Sequence, residues 1–318
     1  MIYGILGGIT WALETVILGI ALAMAPFVST EQGLFLAPFV STFLHDLISA
    51  AYMFGFNGIR GKLKTVGRVM RTKNFKFLLL SSAIGGPVGM TGYVLAVNFM
   101  GASVGAVASA VYPAIGSLLA FLFLKEKIRP YQWFFLLCTL LGVFGLSYSP
   151  ELNITDFRLG LCGVFMCAFG WGTEGVILSK CFKDGDLDSE CALQIRQTVS
   201  ALIYGLVILP LLKGTSFTFS LFQKENLPVL LIIAAAALCA TVSYLCYYKA
   251  IAKLGVAKAM GLNITYTAWA MIFSVVFFRN YGLLNFGTIA CSVVVVVCGI
   301  LAAVDFKELF GTRKNLPG

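Results

Sequence analysis

Charged residues are scarce in this chain. Asp, Glu, Lys and Arg make up 12% of its 318 residues, whereas a soluble domain contains about 25%. Histidine occurs once, and none of the nine cysteines belongs to a Cys-x-x-Cys pair. The composition excludes an ordinary soluble enzyme, and it predicts neither a zinc site nor a disulfide framework.

Motifs that carry chemistry are missing as well. The chain has no phosphate-binding loop of the Walker type and no His-rich cluster. Its single histidine, His45, stands beside Asp46 without a plausible nucleophilic partner in the sequence. We therefore expect that the protein is not an enzyme and that it holds no metal and no cofactor.

Long apolar stretches dominate what is present. Hydrophobic residues make up 59% of the chain, and the mean hydropathy is +0.91. About 20 apolar residues cross a bilayer as a helix. The sequence predicts an all-α polytopic membrane protein with ten spans, at 3–24, 34–54, 76–97, 103–124, 131–148, 159–179, 192–212, 228–250, 257–278 and 283–304.

The net charge of +9 indicates the orientation of these spans. With ten spans, 18 of the 23 Lys and Arg residues fall on one side of the membrane together with both termini. Basic residues accumulate in cytoplasmic loops, so both termini are expected in the cytoplasm. The basic loops account for the net charge of +9, so no nucleic-acid partner is expected. We predict a multi-pass protein of the inner membrane, surrounded by lipid.

The two halves of the chain repeat. The segment 8–18 aligns with 168–178, where Trp, Glu, Val, Ile and Leu coincide at an offset of 160, and later matches recur at an offset of 154. Each half contains five spans, and an odd number inserts the second half upside down. We predict one repeat at 1–150, an inverted repeat at 157–306, and a cytoplasmic tail at 307–318. Rocking of such halves exposes a midplane site to either face in turn.

Few ionisable residues lie deep within the spans: Glu14, His45, Asp46, Glu174 and Arg196. A charged side chain at the bilayer centre costs at least about 2.5–3.5 kcal/mol, so a functional role is the default interpretation. Two structural alternatives stay open at this stage. Asp46 and Arg196 could form an internal pair across the halves, and Glu174 could be a protonated carboxyl group that hydrogen-bonds a neighbouring helix.

Aromatic residues accompany these acids. Trp11 and Glu14 are three residues apart, as are Trp171 and Glu174, so each pair shares a helical face. Further aromatic residues occupy equivalent depths in the two halves, namely Tyr93, Tyr112, Tyr247, Tyr266 and Trp269. A pocket of aromatic rings with a carboxylate suits a quaternary ammonium ion, which has no N–H group to donate. We expect Glu174 to supply the counter-charge, and Asp46, Arg196 and Gln197 to orient it.

The sequence also resembles a known family. Tyr112-Pro113-Ala114-Ile115, which leads into the apolar run before Lys125-Glu126-Lys127, is similar to the EamA-type drug/metabolite transporters over nearly the whole chain. A narrower resemblance is to choline permeases of the LicB type. It is carried by His45-Asp46, Gly86-Pro87-Val88-Gly89-Met90, Gly170-Trp171-Gly172-Thr173-Glu174, Ile195-Arg196-Gln197 and the segment from Lys258 to Tyr266. The resemblance implies choline uptake through an aromatic cage, and it adds His45 and Asn263 to the candidates.

The expected function is import of choline or a related quaternary amine by alternating access, driven at least in part by the membrane potential. The partner is thus a small cationic substrate. Glu14, a second acid, leaves open a different cation, a dication or a proton-coupled step. A proton-coupled exporter of cationic compounds is the first alternative, and a membrane-embedded sensor that transports nothing is the second.

Overall fold

The chain folds into a bundle of helices. The computed structural model describes residues 1–100, 102–147, 155–185, 187–279, 281 and 285–306, with only the backbone described for 102–109. The helices are α1 (Ile2–Leu22), α2 (Glu31–Ile59), α3 (Leu63–Val69), α4 (Asn74–Ala83), α5 (Gly89–Met100), α6 (Ala102–Phe123), α7 (Pro130–Ser147), α8 (Phe157–Lys183), α9 (Ser189–Ile203), α10 (Leu209–Leu211), α11 (Thr215–Ser220), α12 (Leu227–Leu254), α13 (Val256–Asn263), α14 (Tyr266–Phe278) and α15 (Phe286–Ala303).

The multi-pass helical architecture is confirmed. Nine helical segments among the described residues are long and apolar enough to cross a membrane. The predicted span 103–124 lies almost entirely in the 22-residue helix α6, whose side chains are described from Ala110 to Phe123. The count of ten spans and the cytoplasmic position of the termini therefore stay predictions. The predicted tail at 307–318 lies outside the described residues.

Several helices extend beyond their predicted apolar spans. Helix α2 runs from Glu31 to Ile59, whereas the sequence predicts 34–54, and its first turn is capped by Thr30, which accepts a hydrogen bond from the backbone N–H of Gly33 at 2.9 Å. Backbone hydrogen bonds continue in water beyond the apolar region. Hydropathy therefore locates the span correctly and underestimates the length of the helix.

Besides the π-helical turn at Tyr204–Ile208 in the seventh predicted span, two more spans contain irregular turns. The third is continuous from Asn74 to Met100, but it widens into a π-helical turn at Ile84–Val88, where Pro87 has no N–H to donate. The ninth is interrupted between Asn263 and Tyr266, where α13 ends and α14 begins. Both irregularities lie beside buried protein, where freed backbone groups are tolerated at membrane depth.

The helices pack in the pattern that two related halves require. Helix α1 packs along α12, and α5 packs along α8. In the predicted repeat, α1 of the first half corresponds to α8 of the second, and α5 corresponds to α12. The α1–α12 contact and the α5–α8 contact are therefore equivalent under an exchange of the two halves. The same exchange converts the α6–α8 contact into the contact of α1 with α13 and α14. The packing agrees with a twofold relation between the halves. The boundaries at 150 and 157 stay a prediction, since 148–154 lie outside the described residues.

A pair of glycines brings α5 and α8 together. A Cβ atom at Gly163 would lie 2.6 Å from the backbone nitrogen of Ala96 and 2.6 Å from the carbonyl oxygen of Gly92. These obstacles are backbone atoms, so no rotamer change can relieve the overlap. Close approach through small residues is a common way for membrane helices to associate.

Gly163→Ala is expected to lower thermal stability, because the added methyl group must separate α5 from α8. Overpacking of this kind costs about 1–3 kcal/mol. The measurement is the melting temperature of the purified protein in detergent. Gly55→Ala in α2 is the matched control, since a Cβ at Gly55 meets no atom within 4 Å. Equal melting temperatures for the two variants would contradict this packing.

Candidate functional site

Five aromatic side chains from five helices meet inside the bundle. They are Trp11, Tyr93, Tyr112, Trp171 and Tyr266, and together we call them the aromatic cluster. Trp11 stacks on Tyr266 with ring centroids 4.0 Å apart and an interplanar angle of 18°. The edge of Trp171 meets Trp11 at 6.2 Å and Tyr112 at 5.8 Å, while Tyr93 stacks on Trp171 at 6.1 Å. The structure thus brings together two of the three predicted indoles and three of the four predicted tyrosines.

Glycine residues make space for Trp171. A Cβ atom at Gly89 would lie 2.7 Å from Cδ1 of Trp171, and one at Gly170 would lie 2.8 Å from the Cα atom of Gly89. Gly89 directly follows the π-helical turn. The irregular third span and the absence of side chains here therefore allow an indole to enter the cluster.

A group of ionisable side chains lies one helical turn from the two indoles. It consists of Glu14, His45, Asp46, Glu174 and Arg196, and we call it the charged cluster. Each of the five is buried in the bundle. Arg196 connects two of the acids, since its Nε lies 3.1 Å from Oε1 of Glu174 and its Nη1 lies 3.4 Å from Oδ2 of Asp46. The internal pair of Asp46 and Arg196 that the sequence left open is present.

Arg196 is held on its other sides too. Its Nη1 donates to the side-chain oxygen of Gln197 at 2.7 Å, and its guanidinium carbon lies 4.7 Å from the ring centroid of Tyr244. The Tyr248 hydroxyl donates to Oε1 of Glu174 at 3.1 Å. Gln197 in turn donates to Oγ of Ser49 at 3.0 Å. Glu174 is therefore held by Arg196 and Tyr248, whereas the sequence analysis expected it to face the substrate as a counter-charge.

Glu14 is the acid without an arginine partner. Its Oε2 lies 3.4 Å from the hydroxyl of Thr15, and its Oε1 lies 4.0 Å from Nε2 of His45, whose Nδ1 is 2.9 Å from Oδ1 of Asp46. The charged cluster thus contains three carboxyl groups, one guanidinium and one imidazole. If all three carboxyl groups are ionised, the charged cluster has a net negative charge whether His45 is neutral or protonated. A buried excess of negative charge requires a cation or a proton to compensate it.

Three further candidates belong to neither cluster. Asn263 donates to the hydroxyl of Tyr112 at 3.2 Å and so supports the aromatic cluster from α13. The ring of Tyr247 packs against Tyr248 with centroids 6.3 Å apart. Trp269 makes no ring contact with the aromatic residues of the described chain, and its indole N–H is buried without a hydrogen-bond partner there.

Sequence reasoning missed the two tyrosines that contact Glu174 and Arg196. Tyr244 and Tyr248 are four residues apart in α12, so they share one helical face. The sequence analysis predicted only Tyr247 in this region, because Tyr247 aligns with Tyr93 in the other half. The spacing of Tyr244 and Tyr248 was the available signal, but the sequence gives no indication that this face meets α9.

The rings of the aromatic cluster touch one another. Centroid separations of about 4.5–7 Å are those of direct aromatic contact. A cation between two facing rings lies within about 6 Å of each centroid, so facing rings must stand farther apart than Trp11 and Tyr266 do. Two cavities, of about 340 and 620 Å³, lie elsewhere, and neither is lined by the two clusters. A ligand must therefore part the rings to enter.

Ion pairs close the end of the bundle that contains the basic loops. Glu190 is buried at the start of α9, and it lies 3.3 Å from Arg60, 2.6 Å from Lys62 and 3.3 Å from Lys249. Lys62 also pairs with Asp188. These contacts connect the loop after α2 with the second half of the chain. Opening this end requires that they break.

The Lys62–Asp188 pair keeps its charges over a wide pH range. Hydrogen bonds from Lys62 to Asp188 and to Glu190 raise the pKa of Lys62 above its usual value. Partial burial is the largest single influence and raises the pKa of Asp188. The hydrogen bonds from Lys62 and from the backbone N–H of Glu190, together with the charges of Lys62 and Lys249, outweigh burial, so the pKa lies below its usual value. The pair therefore weakens only in strong acid, as Asp188 protonates, or in strong base, as Lys62 loses its proton.

Arg196→Gln is expected to lower the free energy of unfolding by roughly 3–5 kcal/mol, because it removes the guanidinium that pairs with both Asp46 and Glu174. Adding Glu174→Gln should restore part of the loss, since it removes one of the stranded charges. The measurement is a double-mutant cycle, in which the free energy of unfolding by a denaturing detergent is determined for each single variant and for the double variant. Lys183→Gln with Glu126→Gln is the control cycle, because Lys183 is half exposed and the pair should show a coupling of about 0–1 kcal/mol. Equal coupling in both cycles would argue against a buried ion pair.

The described residues contain no group of three or more His, Cys, Asp or Glu side chains arranged to hold a metal ion. The fold and the two clusters together define a multi-pass helical membrane protein with a buried polar and aromatic site. A family model described as the EamA-like transporter family matches residues 1–148 and 158–304. The chain belongs to the EamA-like transporter family.

Two individual proteins are similar to this chain. The protein LicB of Haemophilus influenzae is 31% identical over 192 residues, which cover 60% of this chain and 63% of LicB. The match therefore spans less than two thirds of that relative. A solved crystal structure superposes with a TM-score of 0.68 at 17% identity, and it covers 97% of this chain and 99% of its own. This second likeness concerns the fold alone.

Proposed function

We propose that this transporter imports choline or a related quaternary ammonium ion across the cytoplasmic membrane by alternating access. Membership in a transporter family supports transport of a small solute. The likeness to LicB and the resemblance of the sequence motifs to LicB-type choline permeases favour a choline-like substrate.

The observation that carries the proposal is the aromatic cluster beside a charged cluster of three carboxyl groups, one guanidinium and one imidazole. A quaternary ammonium ion has no N–H group, so hydrogen-bond acceptors alone recognise it poorly. Aromatic faces attract it by about 2 kcal/mol or more per contact once water is excluded. Two or three such contacts and one carboxylate reach about −8 kcal/mol, which corresponds to micromolar affinity.

Glu14 is the proposed counter-charge for the substrate. Arg196 already neutralises Glu174, while the nearest basic atom to Glu14 is Nε2 of His45 at 4.0 Å. A monovalent cation beside Glu14 would offset the excess negative charge of the cluster. When the cation leaves, a proton on Glu14 or His45 would have to do the same.

The membrane potential is a sufficient driving force for such an importer. One positive charge that moves inward gains about 2.3 kcal/mol per 100 mV. This energy corresponds to about 50-fold accumulation without a coupling ion. Release on the cytoplasmic side would require the ion pairs around Glu190 to open, and these pairs connect the two halves of the chain.

The second candidate function is a proton-coupled exporter of cationic compounds. The run of titratable groups from Glu14 through His45 to Asp46, with separations of 4.0 and 2.9 Å, favours it. Such a run can accept a proton when the cation departs. The two candidates therefore differ in coupling and direction and share the same site.

Uptake of labelled choline into proteoliposomes with an imposed inside-negative potential tests the proposal. We expect accumulation that follows the potential. Betaine and carnitine should compete weakly because their carboxylates meet a negative cluster, and ethanolamine should compete weakly because its ammonium group is strongly hydrated. Transport that persists at clamped zero potential and stops when the pH gradient is dissipated would favour the exporter. No choline uptake under either gradient would refute the importer.

A further inference from the structure

A cavity lined by lysines lies at the end of the bundle, away from the aromatic cluster. It has a volume of about 340 Å³ and lies where α8 and α12 end, α13 begins, and the connection from α6 to α7 passes. Its charged lining consists of Lys127, Lys183, Lys253, Lys258 and Glu126. We call it the lysine cavity.

The single acid in this lining is engaged with the protein itself. The Glu126 carboxylate accepts hydrogen bonds from the backbone N–H groups of Val256 at 3.2 Å and Ala257 at 3.4 Å, and Lys183 lies 3.4 Å away. Glu126 thus caps the first turn of α13 and neutralises at most one lysine. The lining keeps an excess of three positive charges.

Three of the four lysines have no acidic partner among the described residues. Within the described residues, neither Lys127 nor Lys258 has a carboxylate within 4 Å. Lys253 lies over the ring of Tyr3, with Nζ 4.9 Å from the centroid. The positive charge of the cavity is therefore available to an anion.

A buried hydroxyl group accompanies these charges. Ser117 lines the lysine cavity from α6, its residue is 1% exposed, and its Oγ has no hydrogen-bond partner among the described residues. A buried hydroxyl without a partner costs free energy, and such a group calls for a ligand or an ordered water. An anion with several oxygen atoms could accept from this hydroxyl while it meets the ammonium groups.

We propose that the lysine cavity binds a phosphate group, presented either by an anionic phospholipid headgroup or by a free phosphate. Phosphate has several acceptor oxygens and matches a lining of ammonium donors with one hydroxyl. The cavity volume falls in the range of ligand pockets, about 300–1,000 Å³. Basic pockets between helices at a cytoplasmic membrane surface are suited to anionic headgroups. The proposal does not rest on choline transport, since neither cluster lines the cavity.

The test uses the full chain in maltoside micelles, which contain no phosphate. The melting temperature is measured with dioctanoyl phosphatidylglycerol, with inorganic phosphate, and with sodium chloride at equal ionic strength. A rise of several degrees with the lipid alone assigns the phosphate to a headgroup. A comparable rise with inorganic phosphate assigns it to a free anion. No rise with either above the chloride control overturns the proposal.

Variants connect the effect to the lysine cavity. Lys127→Gln with Lys258→Gln should abolish the rise, and neither change breaks an ion pair in the described residues. Ser117→Ala should reduce it without a change in charge. The matched control is Lys64→Gln with Lys73→Gln, two exposed lysines on the same side of the predicted topology. The proposed site is contradicted if the rise in melting temperature persists in Lys127→Gln with Lys258→Gln. It is also contradicted if the control variant loses the rise to the same extent.

Discussion

Glu14→Gln is expected to weaken choline binding by about 100-fold or more, with little loss of stability. A carboxylate about 5 Å from an ammonium ion contributes about 3 kcal/mol at an effective dielectric constant of 20, which is about 150-fold in the dissociation constant. No arginine depends on Glu14 for its partner, so folding should tolerate the change. The measurements are equilibrium binding of labelled choline and the melting temperature.

Two variants control this experiment. Glu31→Gln removes an exposed acid from the first turn of α2, away from both clusters, and should leave binding unchanged. Glu174→Gln should reduce stability because it takes a partner from Arg196. Unchanged affinity in Glu14→Gln, or an affinity loss found only with Glu174→Gln, would return the role of counter-charge to Glu174.

Trp171→Ala is expected to raise the dissociation constant for choline by about 30-fold or more. Its ring contacts Trp11, Tyr93 and Tyr112, so the truncation removes one cation–π partner and lets the others shift. A desolvated cation–π contact is worth about 2 kcal/mol, close to 30-fold. Trp171→Phe keeps an aromatic face and should keep much of the affinity. The same binding assay measures both variants.

Trp133→Ala is the matched control for the loss of an indole. Trp133 lies in α7, outside the aromatic cluster, and aromatic residues near helix ends commonly mark the membrane interface. It should bind choline like the unchanged protein. If Trp171→Ala folds and binds with unchanged affinity, the aromatic cluster is not the substrate site.

The sequence anticipated most of the residues that meet in the centre of the bundle. Trp11 and Trp171 were found because they align in the two halves, and Glu14 and Glu174 follow each of them by three residues. Periodicity and duplication are properties of the sequence itself, so they remain readable without coordinates. The choice of residues to test as substrate ligands stays a prediction until binding is measured.

The distinction between the two acids needed the structure. In the sequence, Glu14 and Glu174 occupy equivalent positions, and Glu174 was preferred as the counter-charge. The fold places Arg196 of α9 against Glu174 at 3.1 Å, while Glu14 faces His45 at 4.0 Å. Helices that align in sequence can have unlike neighbours, because the side chains of the helices packed against them differ.

The helices likewise have features that the sequence predicts and features that only the structure shows. Hydropathy indicated the third and ninth predicted spans. It did not indicate that the third span contains a π-helical turn at Ile84–Val88 or that the ninth span breaks after Asn263. Pro87 and the glycines around it marked an irregularity without fixing its form. The form depends on α8, against which Gly89 and Gly92 pack.

The amino-acid sequence by itself determined that this protein is helical and crosses a membrane many times, and its internal repeat predicts two similar halves. Those properties follow from the apolar content and period of single segments, which local chemistry specifies. Only the tertiary structure decided which acid is neutralised, which rings touch, and where unpaired lysines surround a cavity. Charge balance and ring contact depend on distances between helices far apart in the chain, and no segment encodes such a distance alone.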